Sequence, residues 1–198
     1  MINDHERSEI ARLWQRKLNQ DSSGLPQSQR HRNLEPDSAE FIHTLVCGLH
    51  AKNVLEIGGS SGLSTIALAS AAREVGGRLT SIEIEAERQL ESRNTIRHLA
   101  LDSFVEFITA DAAHVLPNMP PSDFVLIDCE KDDYIQFFDM LRLTDNATVV
   151  ADNILSHNLS DYVAHVRSRG YCSVTLPIGK GLELTRIVNA SAPKSGTP

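Results

Sequence analysis

Short apolar runs alternate with helical segments from residue 53 onward, and this alternation constrains the fold more than any other feature. The first five runs are NVLEI (53–57), RLTSIEI (78–84), VEFITA (105–110), DFVLID (123–128) and ATVVAD (147–152). Helical stretches such as LSTIALASAAREV and SDYVAHVRSRG follow individual runs. The pattern predicts an α/β fold in which a mostly parallel sheet carries helices on both faces.

Two further strands are predicted near the end of the sequence. They are YCSVTLP (171–177) and LELTRIV (182–188), joined by the short linker PIGKG. So short a linker favours antiparallel pairing. The predicted sheet therefore has seven strands, and the last of them is antiparallel.

The segment before the first strand is predicted to be helical. Ile10, Leu13, Trp14 and Leu18 lie at helical spacing, and a polar loop separates them from a second helix that Asp37 is expected to cap. We expect three parts, namely an N-terminal helix and loop that acts as a lid or subunit contact, a main domain, and a disordered tail. These parts cover residues 1–36, 37–188 and 189–198.

Composition limits the possible partners and the compartment. The chain has 198 residues, a formal charge of −7 and three scattered cysteines. Its apolar runs are too short to cross a bilayer, and the start MINDHERSEI does not resemble a secretory signal. An odd number of cysteines is a poor disulfide framework. We expect a reduced, cytoplasmic protein with no membrane partner, and the negative charge makes a nucleic-acid partner unlikely.

Acidic side chains mark the predicted strand ends. Glu56 and Glu83 lie near the ends of the first two strands, Asp111 follows the third, and Asp128 and Asp152 end the fourth and fifth. One such acid would be explained as a helix cap. In open α/β sheets, however, ligands bind beyond the carboxyl ends of the strands. Five acids at this edge predict a binding site there.

A glycine-rich turn, LEIGGSSGLS, leads from the first strand into a helix. Such a turn lets a ligand approach the backbone and offers it N–H groups at a helix N-terminus, although a plain tight turn is the alternative. The dinucleotide fingerprint fails because Ile57 stands where its first glycine is needed, and no Walker A lysine follows. Glu83 is expected to accept hydrogen bonds from ribose hydroxyls. Asp111 is expected to face an adenine edge, with capping of the next segment as a close alternative.

Three oxygen-bearing side chains end neighbouring strands. Asp128, Asp152 and Asn153 together make an all-oxygen site that suits a hard divalent cation, with magnesium as the default and manganese or calcium also acceptable. The alternative is that Asp152 caps the next segment and Asn153 occupies a turn. Lys131 follows Asp128 by three residues, and from spacing alone a surface ion pair with a neighbouring aspartate is its simplest role.

Successive segments resemble the motifs of one enzyme family in order and in spacing. The segments are VLEIGGSSGLSTIALA, LTSIEIEAE, FITADAAHVLP, FVLIDCEKDDY, VVADNILSH and LPIGKGLELTRI, within residues 36–188. They resemble class I S-adenosylmethionine methyltransferases, whose fold is Rossmann-like. More closely, they resemble the cation-dependent O-methyltransferases related to catechol and caffeoyl-CoA O-methyltransferases, including their small bacterial members.

The resemblance implies roles for particular residues. It implies that Lys131 is the catalytic base beside Asp128, and that Asp128, Asp152 and Asn153 bind the cation. It further implies that residues 37–188 form a methyltransferase domain and that the protein is a homodimer. The positions implied to contact S-adenosylmethionine are Glu56, Gly58, Gly59, Ser60, Ser64, Glu83, Ile84, Asp111, Ala112 and Asp128.

The expected function follows from these roles. We expect transfer of a methyl group from S-adenosylmethionine to a hydroxyl of a small, aromatic or vicinally oxygenated molecule. The alternatives are methylation of a hydroxylated tRNA base and a non-catalytic module that binds the cofactor or dimerises. The stretch SVTLPIGKG lacks the acid that catechol methyltransferases carry there, which argues against catechol itself, and Lys180 stands where relatives often have an aspartate.

Overall fold

The computed structural model describes residues 1–26 and 29–188, and its centre is a seven-stranded sheet. The strand order is β3-β2-β1-β4-β5-β7-β6, in which β7 runs antiparallel to both β5 and β6 and the other neighbouring strands are parallel. The prediction of a mostly parallel sheet with an antiparallel last strand is confirmed. The strands are β1 Asn53–Ile57, β2 Arg78–Glu83, β3 Val105–Thr109, β4 Ser122–Ile127, β5 Leu143–Ala151, β6 Cys172–Leu176 and β7 Leu182–Arg186.

Helices cover both faces of the sheet, as predicted. Alternate residues of a strand point to opposite faces, so Val54 joins one hydrophobic core and Leu55 the other. The first core lies under α1 to α4, and the second lies under α5 to α7. The helices are α1 Asp4–Ser22, α2 Pro36–Leu49, α3 Leu63–Val75, α4 Ala86–His98, α5 Ala112–Val115, α6 Tyr134–Met140 and α7 Ser160–Ser168.

Helix α1 packs onto the main body of the fold. Asn3 and Glu6 form a capping box at its start, and Glu6 is fully buried against Arg73 of α3. The predicted apolar stripe was wrong at its last position, because Leu18 is 41% exposed whereas Lys17 is only 8% exposed. Position 17 continues the helical period set by the buried residues before it, and position 18 does not.

Helix α2 begins at Pro36, two residues earlier than a cap at Asp37 would allow. Pro36 occupies the first turn and Glu35 is the N-cap residue, without a capping hydrogen bond from its side chain. The prediction that Asp37 caps this helix was therefore wrong. Proline suits the first helical position because its φ is already helical and its missing N–H is not needed there.

Two remaining expectations concern the C-terminal tail and membrane-spanning helices. The predicted disordered tail, residues 189–198, lies outside the described residues. Within residues 1–26 and 29–188, no helix combines the length and the apolar character needed to cross a membrane.

Candidate active site

The glycine turn holds the end of β1 against the ends of β2 and β4. Gly58 has a φ of +94°, and a Cβ atom added there would lie 2.3 Å from the backbone oxygen of Asp128. A Cβ atom on Gly59 would lie 2.7 Å from Ser81 Oγ. The backbone N–H of Ser60 donates to Glu83 Oε2 at 2.8 Å. The turn therefore needs glycine because other parts of the protein approach its backbone so closely.

A first cavity opens beside this turn, at the carboxyl ends of β1, β2 and β4. Its apolar wall includes Ile57, Ile82 and Phe137. Most of the residues predicted to contact the cofactor line it, namely Gly58, Ser60, Glu83, Ile84, Asp111, Ala112 and Asp128.

The two acids expected to bind a nucleoside are both held by backbone N–H groups. Glu83 is 6% exposed and accepts from Ser60 through Oε2 and from Glu85 through Oε1, the latter at 3.0 Å. Asp111 caps α5 by accepting from the N–H of Ala113 at 2.9 Å. The capping role considered for Asp111 is thus present, and its side chain also belongs to the cavity wall.

Three predicted cofactor contacts lie behind the cavity wall rather than in it. Glu56, Gly59 and Ser64 are buried and are not among the described residues that line the first cavity. Glu56 shares the face of β1 that packs under α3 and accepts from Thr65 Oγ1 at 2.7 Å and from Ser81 Oγ at 2.6 Å. Burial raises its pKa, and these hydroxyls with that of Ser64 oppose the rise. Glu56 is therefore buried behind the residues that line the first cavity and does not itself line it.

Two carboxylates converge at the ends of β4 and β5. The strands pair in register up to Ile127 and Ala151, so the next residues, Asp128 and Asp152, lie side by side. Asn153, whose φ is +65°, joins them: its Nδ2 donates to Asp128 Oδ1 at 2.9 Å and to Asp152 Oδ2 at 2.7 Å. The three side chains therefore meet, as the sequence predicted.

The electrostatics of this pair are unfavourable in the protein alone. Burial, followed by the charge of Asp128, raises the pKa of Asp152 to about 8. Burial also raises the pKa of Asp128. Asp152 Oδ1 is buried and has no hydrogen-bond partner among the described residues. An unsatisfied buried oxygen beside a second carboxylate is costly, and an all-oxygen set of this kind suits a hard divalent cation.

Lys131 lies over this pair. Its Nζ donates to Asp128 Oδ1 at 3.2 Å, to the backbone oxygen of Cys129 at 3.0 Å and to Tyr134 Oη at 2.8 Å. Tyr134 is fully buried and donates in turn to the backbone oxygen of Asp152 at 3.3 Å. The ion pair of Lys131 is with Asp128, not with the neighbouring aspartates that spacing alone favoured. Tyr134 therefore fixes where the lysine nitrogen lies.

A second cavity, of about 540 Å³, adjoins the first and shares Asp128, Cys129, Glu130 and Arg32 with it. The other residues lining it are Lys17, Asp21, Arg30, His31, Asn33, Lys131, Asp132, Asn153, His157 and Lys180. Burial lowers the pKa of His157, and the nearby cations of Lys131 and Lys180, which come from separate segments, lower it further.

Sequence analysis missed several residues of this second cavity. The loop carrying Arg30 and Arg32 was considered only as part of a lid or subunit contact, and Lys17 was not considered at all. Lys17 continues the helical period of the buried Ile10 and Leu13, but the apolar Leu18 indicated a different side of the same helix. The ion pair between Lys180 and Glu35, at 2.9 Å, was not, because its partners lie far apart in the chain.

Another group of possible metal ligands lies away from both cavities. His43 and Cys47 of α2 and Glu74 of α3 bring ligand atoms within 4.8 Å of one another. None of the three is among the described residues that line either cavity. This group therefore plays no part in the site at the strand ends.

Comparison with protein families and curated proteins gave consistent matches. A family model described as O-methyltransferase matches residues 11–167. The catechol O-methyltransferase of Niastella koreensis is 32% identical over 130 residues, which are 62% of this chain and 58% of that protein. The catechol O-methyltransferase of Mycobacterium tuberculosis is 30% identical over 120 residues, 59% of this chain and 54% of that protein. The chain thus matches little more than half the length of these relatives.

Solved structures resemble the whole fold. SAH-bound methyltransferase PaMTH1 of Podospora anserina has a TM-score of 0.81 at 16% identity, covering 95% of this chain and 89% of that one. The O-methyltransferase of Bacillus cereus, in complex with SAH, has a TM-score of 0.74 at 21% identity, with coverages of 93% and 91%. At these identities the likeness concerns the fold alone, and it confirms the predicted fold class.

Proposed function

The chain belongs to the O-methyltransferase family, and we propose that it transfers a methyl group from S-adenosylmethionine to a hydroxyl of a small, vicinally oxygenated molecule with the help of a divalent cation. One observation carries the proposal. Asp128 lines both cavities and is linked through Asn153 to Asp152, whose Oδ1 has no partner among the described residues. A methyl donor in the first cavity and an acceptor in the second would therefore meet beside two buried carboxylates.

The first cavity is the proposed site of the methyl donor. Glu83 has spare lone pairs for ribose hydroxyls, and Asp111, which lines the same cavity, is the proposed acceptor for the amino group of adenine. Gly58 and Ser60 leave the backbone open to the donor beside Asp128. Acidic surroundings also suit a sulfonium cation.

Asp128, Asp152 and Asn153 are the proposed ligands of the cation. They supply two carboxylates and, once the amide of Asn153 turns so that Oδ1 replaces the Nδ2 that faces both carboxylates, one amide oxygen. Magnesium is the expected ion, with manganese or calcium as substitutes. A divalent cation held by these residues would lower the pKa of a hydroxyl bound to it. The support for this assignment is the unpartnered Asp152 Oδ1 and the convergence of both carboxylates on Asn153.

Lys131 is the proposed general base. In its neutral form Nζ takes the proton of the acceptor hydroxyl, and Tyr134 and the Cys129 carbonyl keep that nitrogen beside Asp128. The hydroxyl oxygen forms the new C–O bond as the C–S bond breaks, which leaves S-adenosylhomocysteine and a protonated Lys131. Much of the rate would come from holding the two reactants in contact where the two cavities adjoin.

The substitution Asp152→Asn tests this proposal without relying on activity alone. At a hundredfold excess over its dissociation constant, magnesium stabilises a protein by about 2.7 kcal/mol, which raises the melting temperature of a chain of this size by about 5–10 °C. We expect this shift in the wild type and its loss in Asp152→Asn, together with loss of methyl transfer. Binding of S-adenosylhomocysteine, measured by calorimetry, should persist because Asp152 does not line the first cavity.

An exposed aspartate provides the matched control. Asp102 is exposed and lines neither cavity, so Asp102→Asn should keep both the magnesium shift and the activity. Undiminished methyl transfer by Asp152→Asn in the presence of a chelator would rule out the proposed cation site.

A further inference from the structure

The wall of the second cavity is unusually polar for a small-molecule site. Its lining residues in the described ranges include no aliphatic, phenyl, phenol or indole side chain. Sites for small molecules are usually lined mainly by hydrophobic and aromatic groups, with a few polar ones for orientation. A neutral aromatic ring would gain little here, because it would find almost no apolar surface to bury against.

Positive charge predominates in this wall. Five lysine and arginine side chains line it, against four aspartates and glutamates. One of the four acids is Asp128, which the proposed cation would neutralise. The cations come from separate parts of the fold, with Lys17 on α1, Arg30 and Arg32 in the loop before α2, and Lys180 in the turn between β6 and β7. The remaining charge therefore favours an anion.

The arginines and Lys180 are the groups best able to turn to a ligand. Lys17 is tied to Asp21 at 2.5 Å, whereas Arg30 donates from Nε to the backbone oxygen of Leu25 at 2.6 Å and approaches Asp21 with Nη1 only at 4.0 Å. Arg32 pairs with the exposed Glu130, and Lys180 pairs with the less exposed Glu35, while both cationic side chains remain more than a third exposed. An exposed pair such as that of Arg32 and Glu130 contributes little to stability, so a ligand can replace it at little cost.

We propose that the methyl acceptor carries an anionic group, a carboxylate or a phosphate, beside its vicinal oxygens, and that Arg30, Arg32 and Lys180 bind this group. This inference rests on the proposed function, because it takes the second cavity as the acceptor site. Guanidinium groups match carboxylate and phosphate oxygens in bidentate geometry. Arg32 lines both cavities, so an anionic group bound to Arg32 would lie near the methyl donor in the first cavity.

Matched pairs of probes isolate the charge. Protocatechuate and its primary amide share a ring and vicinal hydroxyls and differ in one negative charge, and dihydrocaffeate and its amide repeat the comparison with a longer reach. Binding is measured by calorimetry to the wild-type protein saturated with S-adenosylhomocysteine and magnesium. We expect the acid of at least one pair to bind about tenfold more tightly than its amide, a preference that falls with added salt.

Variants assign the preference to the arginines. Arg30→Gln and Arg32→Gln should each reduce the ratio of acid to amide affinity toward one while leaving the affinity for the amide unchanged, which shows that the site is still folded. Arg12→Gln is the control, since Arg12 lies on the exposed side of α1, pairs with Glu9 and lines neither cavity; it should keep the wild-type ratio.

The outcomes separate this inference from the proposed function. Equal or tighter binding of the amide in both pairs, or no binding of any probe, would overturn the anionic acceptor. Methylation of acid and amide with equal kcat/KM would keep the proposed function and overturn the inference. Preferential binding of an acid that is never methylated would support the inference and count against the proposed function.

Discussion

Gly58 allows a sharp test of the contact between the glycine turn and the end of β4. In Gly58→Ala the new Cβ would lie 2.3 Å from the backbone oxygen of Asp128 and 2.7 Å from its carbonyl carbon, at a φ of +94°. The left-handed backbone costs an alanine about 1–2 kcal/mol. Relieving the clash requires the backbone to move, which by analogy with overpacked cores costs about 1–3 kcal/mol more.

Gly170→Ala is the matched control for the backbone term. Gly170 also has a positive φ, +77°, but an added Cβ would meet nothing within 4 Å. It should therefore show only the conformational cost, and Gly58→Ala should be less stable than it by about 1–3 kcal/mol. For a chain of this length each kcal/mol lowers the melting temperature by about 2–4 °C.

The assays are urea unfolding and calorimetric binding of S-adenosylhomocysteine. Gly58→Ala should also bind this ligand more weakly, because the first cavity includes both Gly58 and Asp128, whereas Gly170→Ala should bind it normally. Equal stability of the two variants would refute the reasoning. Equal stability would mean that the close approach of Gly58 to the backbone of Asp128 does not constrain the end of β4.

Three further changes probe other parts of the molecule. Lys131→Gln should lower kcat by about 10²–10⁴-fold and leave binding of S-adenosylhomocysteine intact, as expected when a general base is lost; normal turnover would exclude that role. Burial raises the pKa of Glu6, but its hydrogen bonds, chiefly with Arg73, outweigh burial, so the pKa is lowered in the folded protein. The stability that the charged carboxylate contributes is therefore present above the ordinary pKa of 4.5 and is lost as the pH falls through the lowered pKa. Glu6→Gln should therefore cost about 1–3 kcal/mol in urea unfolding at neutral pH, a difference that must shrink in acid. A thiol reagent followed by mass spectrometry should modify the exposed Cys172 before Cys129, whose pKa burial raises, and the reverse order would contradict this.

The sheet and the convergence of Asp128 with Asp152 could be predicted because both follow from local patterns. Apolar runs separated by helices leave few topologies, and neighbouring parallel strands bring their carboxyl ends together. The sequence pattern was less reliable in predicting which side of a helix is buried. The burial of Lys17 instead of Leu18 depends on which side of α1 meets α2 and α3, and one position along a helix rotates a side chain by about 100°.

Glu35 shows what the sequence could not reveal. Asp37 looked like the cap of α2, but Pro36 starts the helix earlier and makes Glu35 the N-cap residue. The side chain of Glu35 pairs with Lys180 in the turn between β6 and β7, and its charge contributes to the raised pKa of both Asp128 and Asp152. A contact between segments so distant in sequence depends on the closed fold and leaves no local pattern.

Glu56 and Asp152 are both buried acids near the ends of central strands, and their surroundings separate their roles. Glu56 accepts from the hydroxyls of Thr65 and Ser81 through Oε2, its Oε1 has no partner among the described residues, and it does not line the first cavity. Asp152 also keeps an oxygen, Oδ1, without a partner among the described residues, but Asn153 links it to a second carboxylate, Asp128, which lines both cavities. Folding alone gains nothing from that arrangement, and a bound cation would remove its cost. The two linked carboxylates, more than the acidic strand ends as a group, therefore mark the place where chemistry is expected.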